Sequence, residues 1–512
     1  MKHIKILFST TLLLSAIGCT KLEEDFQGDL KDSQVGSSGG GNITALLKAV
    51  YVSQRVSYQG QERVFAMGEM STDALIGPTR GPDWDDNGAW RVIHAHKWDG
   101  DNQYIRFAYN DLSGTIFAST DLLQYNPSPQ QAAEARFIRA FTMFDMLDYF
   151  DQVAYREPGE STLLPSKVRK GLEALDYIIK ELNEILPTLP DAPPVSRANK
   201  DAARVLLMKC YLNKGVFANR AAPTFAAADM QQVISLADGL INSGKYTLSN
   251  NYFDNFAPLN GTIGTENIFT AENVGGVEAG GLNSRWHLTM HYNQNPGGWN
   301  GFTTLSDFYD KFTASDQRRG VAYPTPGVPN PGNRTNVGFM VGQQYNWTTD
   351  VPLKDRTGAP LVFTREVNII ETGTNLEVTG IRVNKYPIDY PNDGSGNVNN
   401  DYVYYRISDV MLMKAEALLR TNAAATALPI VNTIRTKRGV TPFAALTLDN
   451  LLDERARELY WENYRRQDLI RFGKFLEPFQ GKPGADDPKY LIFTIPNEQL
   501  AVNPNLTQNP GY

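Results

Sequence analysis

Cysteine and histidine are nearly absent from this chain: two cysteines, Cys19 and Cys210, and five histidines in 512 residues. Two cysteines allow at most one disulfide, so no disulfide framework organises the fold. Cys210 lies in an apolar helical stretch, residues 204–212, where a buried thiol behaves as a small hydrophobe. The histidines offer no hydrolase signature. His287 and His291 stand four apart, but no Glu follows the first, so the H-E-x-x-H pattern fails, and the nearby pair His94 and His96 lacks a companion motif. Also missing are a G-x-S-x-G elbow, a Walker loop and a strand-linked G-x-G-x-x-G, which removes the commonest nucleophile and nucleotide sites. A glycosidase's paired carboxylates stay open, because sequence does not give their separation. Beyond residue 17 no apolar run reaches the roughly 20 residues of a membrane-spanning helix. Positive charge is in deficit: the net charge is -7, which disfavours nucleic acid and suits neutral ligands better than polyanions.

The N-terminus carries the clearest local signal. Lys2 and Lys5 precede an apolar run from Ile6 to Ile17, then Gly18, Cys19 and the acidic Glu23, Glu24 and Asp25. This reads as a signal peptide, residues 1–18, whose cleavage exposes Cys19 for lipidation. Ala16 stands three before the cysteine, where Leu is commoner; the alternative is an ordinary signal with a chance cysteine. Residues 19–41 end in Ser37-Ser38-Gly39-Gly40-Gly41 and read as a flexible, lipidated tether. Acyl chains would then hold an otherwise soluble domain, residues 42–512, at a membrane.

Within that domain several segments have helical periodicity. Ser128-Pro129-Gln130-Gln131 forms a capping box with proline at the first helical position, followed by an apolar stripe of Ala133, Phe137, Ala140, Phe141 and Phe144. Further helices are predicted at about 170–186, 204–212, 408–420, 429–438 and 447–472. In the last, Glu462 and Arg466 are spaced to pair, and the acids from Asp453 to Asp468 read as a solvated face matched by Arg455, Arg457, Arg465 and Arg466. Residues 71–104 and 250–400 differ: they are rich in Gly, Pro, Asn, Asp and aromatics, with short strand-like runs at 360–370 and 378–387. The fold class predicted is mostly α, a helical scaffold carrying a large loop-rich face.

Six of the seven tryptophans fall in those loop-rich regions; Trp461 falls in the last helix. Indole and phenol faces cover the C–H faces of a sugar ring while Asp, Asn and Arg take its hydroxyls. Three clusters suit this: Arg80, Asp83, Trp84 and Asp85; Trp286 with Tyr292; and Tyr345 with Trp347. Trp84, flanked by charge and outside any apolar period, is the leading platform. Trp90 and Trp98 read as loop anchors, and Trp299 as scaffold. Asp83, Asp85 and Asn87, with Gly88 at the turn, also match the start of a calcium loop, but position twelve is His94 and not the closing Glu. A polar turn or sugar-contacting loop is the favoured reading, with no cofactor required.

Longer phrases carry a resemblance. Residues 405–417 read YRISDVMLMKAEA; residues 431–435 read VNTIR; Glu454-Arg455-Ala456-Arg457-Glu458 leads to Asp468-Leu469-Ile470-Arg471-Phe472-Gly473; and the chain closes NPNLTQNPGY. Upstream, Met70-Ser71-Thr72-Asp73, Ala133 to Ala140 and Gly298-Trp299-Asn300 extend the match. Together these resemble the SusD/RagB family of outer-membrane nutrient-binding lipoproteins, with Phe107 a departure where many members carry Trp. The resemblance implies tetratricopeptide-like helices and a loop-rich ligand face without enzymatic activity. It also implies a lipid anchor at the outer membrane facing the cell exterior, an oligosaccharide or polysaccharide ligand, and a SusC-like TonB-dependent transporter as partner. A secreted carbohydrate-active enzyme and a helical-repeat scaffold for peptides remain the alternatives.

Overall fold

The computed structural model describes residues 40–277, 280–325, 334–374 and 376–512. The signal peptide and Cys19 lie outside the described residues, as does the tether except for its last two residues. Those two, Gly40 and Gly41, already belong to the first helix, α1, Gly40–Gln59. Residues 45–512 form one compact unit.

Six long helices make up the N-terminal half of the scaffold: α1, then α2 (Gln103–Leu122), α3 (Pro129–Phe150), α4 (Gly171–Ile185), α5 (Lys200–Ala218) and α6 (Ala227–Ile241). Polar caps start several of them. Asn102 accepts from the amides of Tyr104 and Ile105, Ser128 forms the expected capping box with Gln131, and Asn199 accepts from Ala202. From α2 onward each helix packs on the next in chain order, the arrangement of a helical solenoid. The chain then leaves the scaffold over residues 242–406 and returns as α7 (Ile407–Arg420), which packs on α6 as the next helix would. Two more follow, α8 (Ala424–Lys437) and α9 (Leu448–Leu459), around a separate small core of Leu412, Val431, Ile434 and Leu451.

The excursion is closed at its neck by two antiparallel strands, Asn267–Ala271 and Tyr402–Arg406, both buried along their whole length. Their aromatic side chains pack on α3: Phe269 stacks on Tyr404, and both meet Phe141. Inside the excursion the strand-like runs yield only short strands. Arg382–Asn384 joins a three-stranded sheet with Val337–Met340 and Gly320–Val321, and Ile370–Glu371 pairs in parallel with Thr79–Arg80 from the N-terminal loop.

Two expectations are overturned in the C-terminal part. The predicted helix 447–472 is two helices, α9 and α10 (Arg465–Arg471). Between them Trp461 and Asn463 take left-handed backbone, φ 57° and 70°. Tertiary contacts hold them there: the Trp461 indole donates to the Ala74 carbonyl at 3.1 Å, and the Asn463 amide to Glu69 at 2.6 Å. Nor is the charged face solvated. Glu454 and Glu458 are fully buried, and Arg455, Arg466 and Asp468 nearly so. Glu458 accepts from Arg438 at 2.7 Å and from Arg406 and Arg318 at 3.0 Å each; Arg318 also reaches Glu454 at 2.7 Å. Glu462 pairs with Lys385 and Arg406, and Arg466 turns to Asp148. Arg318 and Lys385 come from the excursion, so this network bolts the loop-rich body onto the scaffold through guanidiniums that each satisfy several acceptors.

Candidate functional site

The loop-rich face forms where residues 71–104 meet the excursion. Backbone bonds join Ile76 to Thr303 in both directions, and the Thr79 amide donates to the Ile369 carbonyl. Arg80 completes the junction. It is 3% exposed, its guanidinium donating to the carbonyls of Leu376 at 2.6 Å and Thr379 at 2.8 Å and to the Thr379 hydroxyl. Burial pushes its pKa down to about 10. Arg80 is therefore a loop clamp and not a ligand contact, because its donors are directed at carbonyls inside the protein.

Trp84 follows a tight turn in which Arg80 and Asp83 exchange backbone bonds, and it sits at φ 62°, an uncommon conformation for a bulky side chain. Its ring is half-buried against Phe302 (centroids 5.1 Å apart) and beside Trp90 at 6.3 Å. It also lies on Gly301, where an added Cβ would come within 2.3 Å of the indole. The indole nitrogen donates to the Trp299 carbonyl at 2.8 Å. Trp84 is flanked by charge and outside any apolar period in the sequence, yet it has an apolar surface to pack on, provided by Phe302 and Trp90.

Trp299, read from sequence as scaffold, is the most exposed tryptophan of the described residues, at 41%. Its ring stacks on His287 with centroids 5.6 Å apart and planes 24° apart. His287 is held on both ring nitrogens, by the Gly297 carbonyl and by Asp393, each at 2.9 Å. Burial opposes its protonation, but the Asp393 carboxylate outweighs burial and raises its pKa. The four-residue spacing of His287 and His291 does not converge: His291 turns instead to Glu377 at 2.8 Å. His94 and His96 are buried on backbone carbonyls and Asp486.

Beside the two tryptophans lies a polar cluster. Tyr292 donates to Asp83 at 2.9 Å, and Arg356 covers the Tyr292 ring at 4.0 Å while pairing with Glu377 at 2.5 Å and Asp83 at 3.5 Å. Burial, then the Asp83 charge, pushes the Tyr292 phenol up to about 12, so it stays a donor. Asp83 and Arg356 remain 43% and 51% exposed. Asp85 pairs with Arg91. The residues of the calcium-like pattern part company: Asp83 and Asp85 face different cations, Asn87 lies on an exposed turn, and no group of three metal-ligating side chains forms among the described residues.

The remaining sequence candidates part company. Trp286 is fully buried, its indole donating to Asp393 at 2.8 Å, which makes it a core residue supporting His287. Trp347 is 6% exposed and Tyr345 half-buried beneath Arg334, 3.5 Å from the ring. Trp90 and Trp98 are buried anchors, Trp90 stacked on Tyr104 and Trp98 bonded to Tyr512. What sequence reasoning missed, Trp299 and Arg356, had one available signal: a tryptophan between Gly297-Gly298 and Asn300-Gly301 has few side chains next to it to bury it.

Comparison with known proteins fits this architecture. A model of the SusD family matches residues 241–512. Over full length, the starch-binding protein SusD of Bacteroides thetaiotaomicron is 25% identical, covering 100% of this chain and 99% of that one. SusD-like protein P2 of Formosa agariphila is 24% identical, covering 100% of both. Among solved structures, a SusD superfamily protein from Parabacteroides distasonis superposes with a TM-score of 0.73 at 18% identity, over 94% of this chain and 100% of that one. A laminarin binding SusD-like protein superposes with a TM-score of 0.68 at 20% identity, over 92% and 99%. These superpositions bear on the fold, and they match the mostly helical class.

Proposed function

The chain belongs to the SusD family, and from that premise we propose that it captures an oligosaccharide or polysaccharide on the face formed by Trp299, Trp84 and the Tyr292–Asp83–Arg356 cluster. The family is one of binding proteins, and the chain is not an enzyme. The observation that carries the reading is the 41% exposed indole of Trp299 next to a hydrogen-bonding cluster that is itself half exposed. A sugar ring presents C–H bonds to such an indole, and its equatorial hydroxyls reach the carboxylate and guanidinium at the edge. His287 supports the opposite face of Trp299, so the ring is positioned before any ligand arrives, which lowers the ordering cost of binding. Relatives lend support: one is named starch-binding, one laminarin binding, and a surface glycan-binding protein A from Bacteroides thetaiotaomicron was solved in complex with laminarihexaose.

On the same reading the protein is anchored through Cys19 in the outer membrane, faces the cell exterior, and delivers its ligand to a SusC-like TonB-dependent transporter. The N-terminal signal and the family support this placement. The test is calorimetric titration of the purified chain with maltohexaose, laminarihexaose and other neutral oligosaccharides. Saturable binding that Trp299→Ala weakens, without release of new reducing ends, is the expected result. Turnover of the bound glycan, or binding indifferent to Trp299, counts against the proposal.

A further inference from the structure

A second concavity lies on the excursion, and none of its lining residues belongs to the tryptophan face. It opens between the strand Val337–Met340 and the loop around residues 343–347, with a volume of about 560 Å³, within the ~300–1,000 Å³ of small-molecule sites. Its lining includes Tyr309, Arg319, Arg334, Gln343, Tyr345 and Trp347, and it contains two arginines but no carboxylate. On a chain of net charge -7, such an acid-free, arginine-bearing hollow is a local reversal of sign.

The two arginines are held differently. Arg334 stacks on Tyr345 and pairs with Asp350 at 2.7 Å, outside the lining. Arg319 has no carboxylate partner among the described residues. Its Nε donates to the Tyr309 hydroxyl at 2.9 Å, and Nη2 donates to the same oxygen. A guanidinium has five N–H donors in a fixed fork, so anchoring on one phenol oxygen orients Arg319 while leaving donors for an anion. Gln343 is fixed too, its amide nitrogen donating to the carbonyls of Gln344 at 2.7 Å and Leu353 at 2.9 Å, which leaves its carbonyl oxygen for a ligand hydroxyl. Tyr345 and Trp347 add apolar wall. Their motif, singled out in the sequence as a sugar platform, belongs to this hollow and not to the Trp299 face.

We infer that this hollow is a second subsite, which takes the anionic substituent of an acidic sugar, a uronate carboxylate or a sulfate ester, on the Arg319 guanidinium. The inference deepens the glycan reading and rests on it, naming acidic glycans as a ligand class. A planar carboxylate or a sulfate accepts from the guanidinium fork, the sugar ring lies against Tyr345, and a hydroxyl reaches Gln343.

The experiment titrates the full chain with hexagalacturonate, which has carboxylates only, with a κ-carrageenan hexasaccharide, which has sulfates only, and with neutral maltohexaose and laminarihexaose. At least one anionic probe is expected to bind, and its identity separates carboxylate from sulfate. Arg319→Gln should weaken that probe by about tenfold or more, the loss expected for a charge-assisted hydrogen bond, and leave neutral titrations unchanged. Ala314→Glu is the second variant: Ala314 is an exposed lining residue, so a carboxylate enters the hollow without removing a packed side chain, and it should weaken the same probe equally. If neither anionic probe binds while a neutral one does, the subsite is overturned and the glycan reading stands. If an anionic probe binds the wild type and both variants alike, the subsite is likewise overturned. If only anionic probes bind, and Ala314→Glu blocks them, the subsite stands and the Trp299 face loses its assignment.

Discussion

Trp84 donates its indole N–H to the backbone carbonyl of Trp299 at 2.8 Å, across 215 residues of sequence. The bond joins the N-terminal loop to the excursion at the point where Trp299 is exposed. Trp299→Ala should lower glycan affinity by roughly 1–3 kcal/mol, the value of burying one large side chain against ligand, and leave the thermal midpoint nearly unchanged. Calorimetry and melts on the same preparation check both; an unaltered affinity would move the site elsewhere.

Gly301 is where that geometry is most sensitive. A methyl group there would sit 2.3 Å from the Trp84 ring, so Gly301→Ala must displace the indole. The expected outcome is loss of both affinity and stability, the latter by about 1–3 kcal/mol as an overpacked contact. Trp84→Ala should likewise affect both, since its ring is half-buried on Phe302. A Gly301→Ala variant that binds and melts like the wild type would show that Trp84 does not need its seat.

Trp286 provides the contrast. It is fully buried, so Trp286→Ala should destabilise the fold by roughly 3–5 kcal/mol, in the range of aromatic-to-alanine core changes. Denaturant unfolding measures the loss. A variant of wild-type stability with lost binding would reverse the assignment.

The buried charges predict opposite trends at the two ends of the pH range. Burial opposes ionisation of Glu454, but Arg318, Arg457 and Arg435 outweigh it and hold its pKa down to about 2. A depressed carboxylate contributes stability above its unfolded value, and loses it as pH falls from about 4.5 through 2, on the order of 3 kcal/mol by linkage. Glu69 has the reverse sign. Burial pushes it up to about 8, so the folded state holds the proton more tightly and stability falls as pH rises from about 4.5 to 8. Glu69→Gln should therefore gain on the wild type progressively across that window. Melts from acid to mildly alkaline pH test both, and parallel curves for Glu69→Gln and wild type would refute the second.

On the proposed lipid anchor, Cys19→Ala should release the protein into the soluble fraction, since acyl chains on that cysteine would be the attachment. Fractionation in cells lacking the transporter checks this. A variant that still sediments with outer membranes there would remove the lipid anchor from the proposal.

The helices were largely legible in the sequence. The Ser128 capping box and the apolar stripe behind it appear in α3 as read, because cap and stripe are local properties of a few consecutive residues. The break between α9 and α10 was not legible. Nothing within residues 460–464 forbids a helix; the turn exists because Ala74 and Glu69, nearly 400 residues earlier, hold Trp461 and Asn463 in left-handed backbone. The acids of α9 misled in the same way. Glu454 and Glu458 have the spacing of a solvated face, and are buried because Arg318, Arg406 and Arg438 arrive from other segments to neutralise them.

The same division runs through the site. The sequence by itself determined that the chain is a helical scaffold with an aromatic loop face, that Cys210 is a core thiol, and which family phrases the C-terminal helices carry. Only the tertiary structure decided which aromatics are exposed. It buried Trp286, seated Trp84 on Phe302 and left Trp299 open, and it turned Arg80 inward while bringing Arg356 over Tyr292. Exposure is not a property of a residue and its neighbours in sequence. It is set by what packs from elsewhere in the chain, and here the packing partners lie tens to hundreds of residues away.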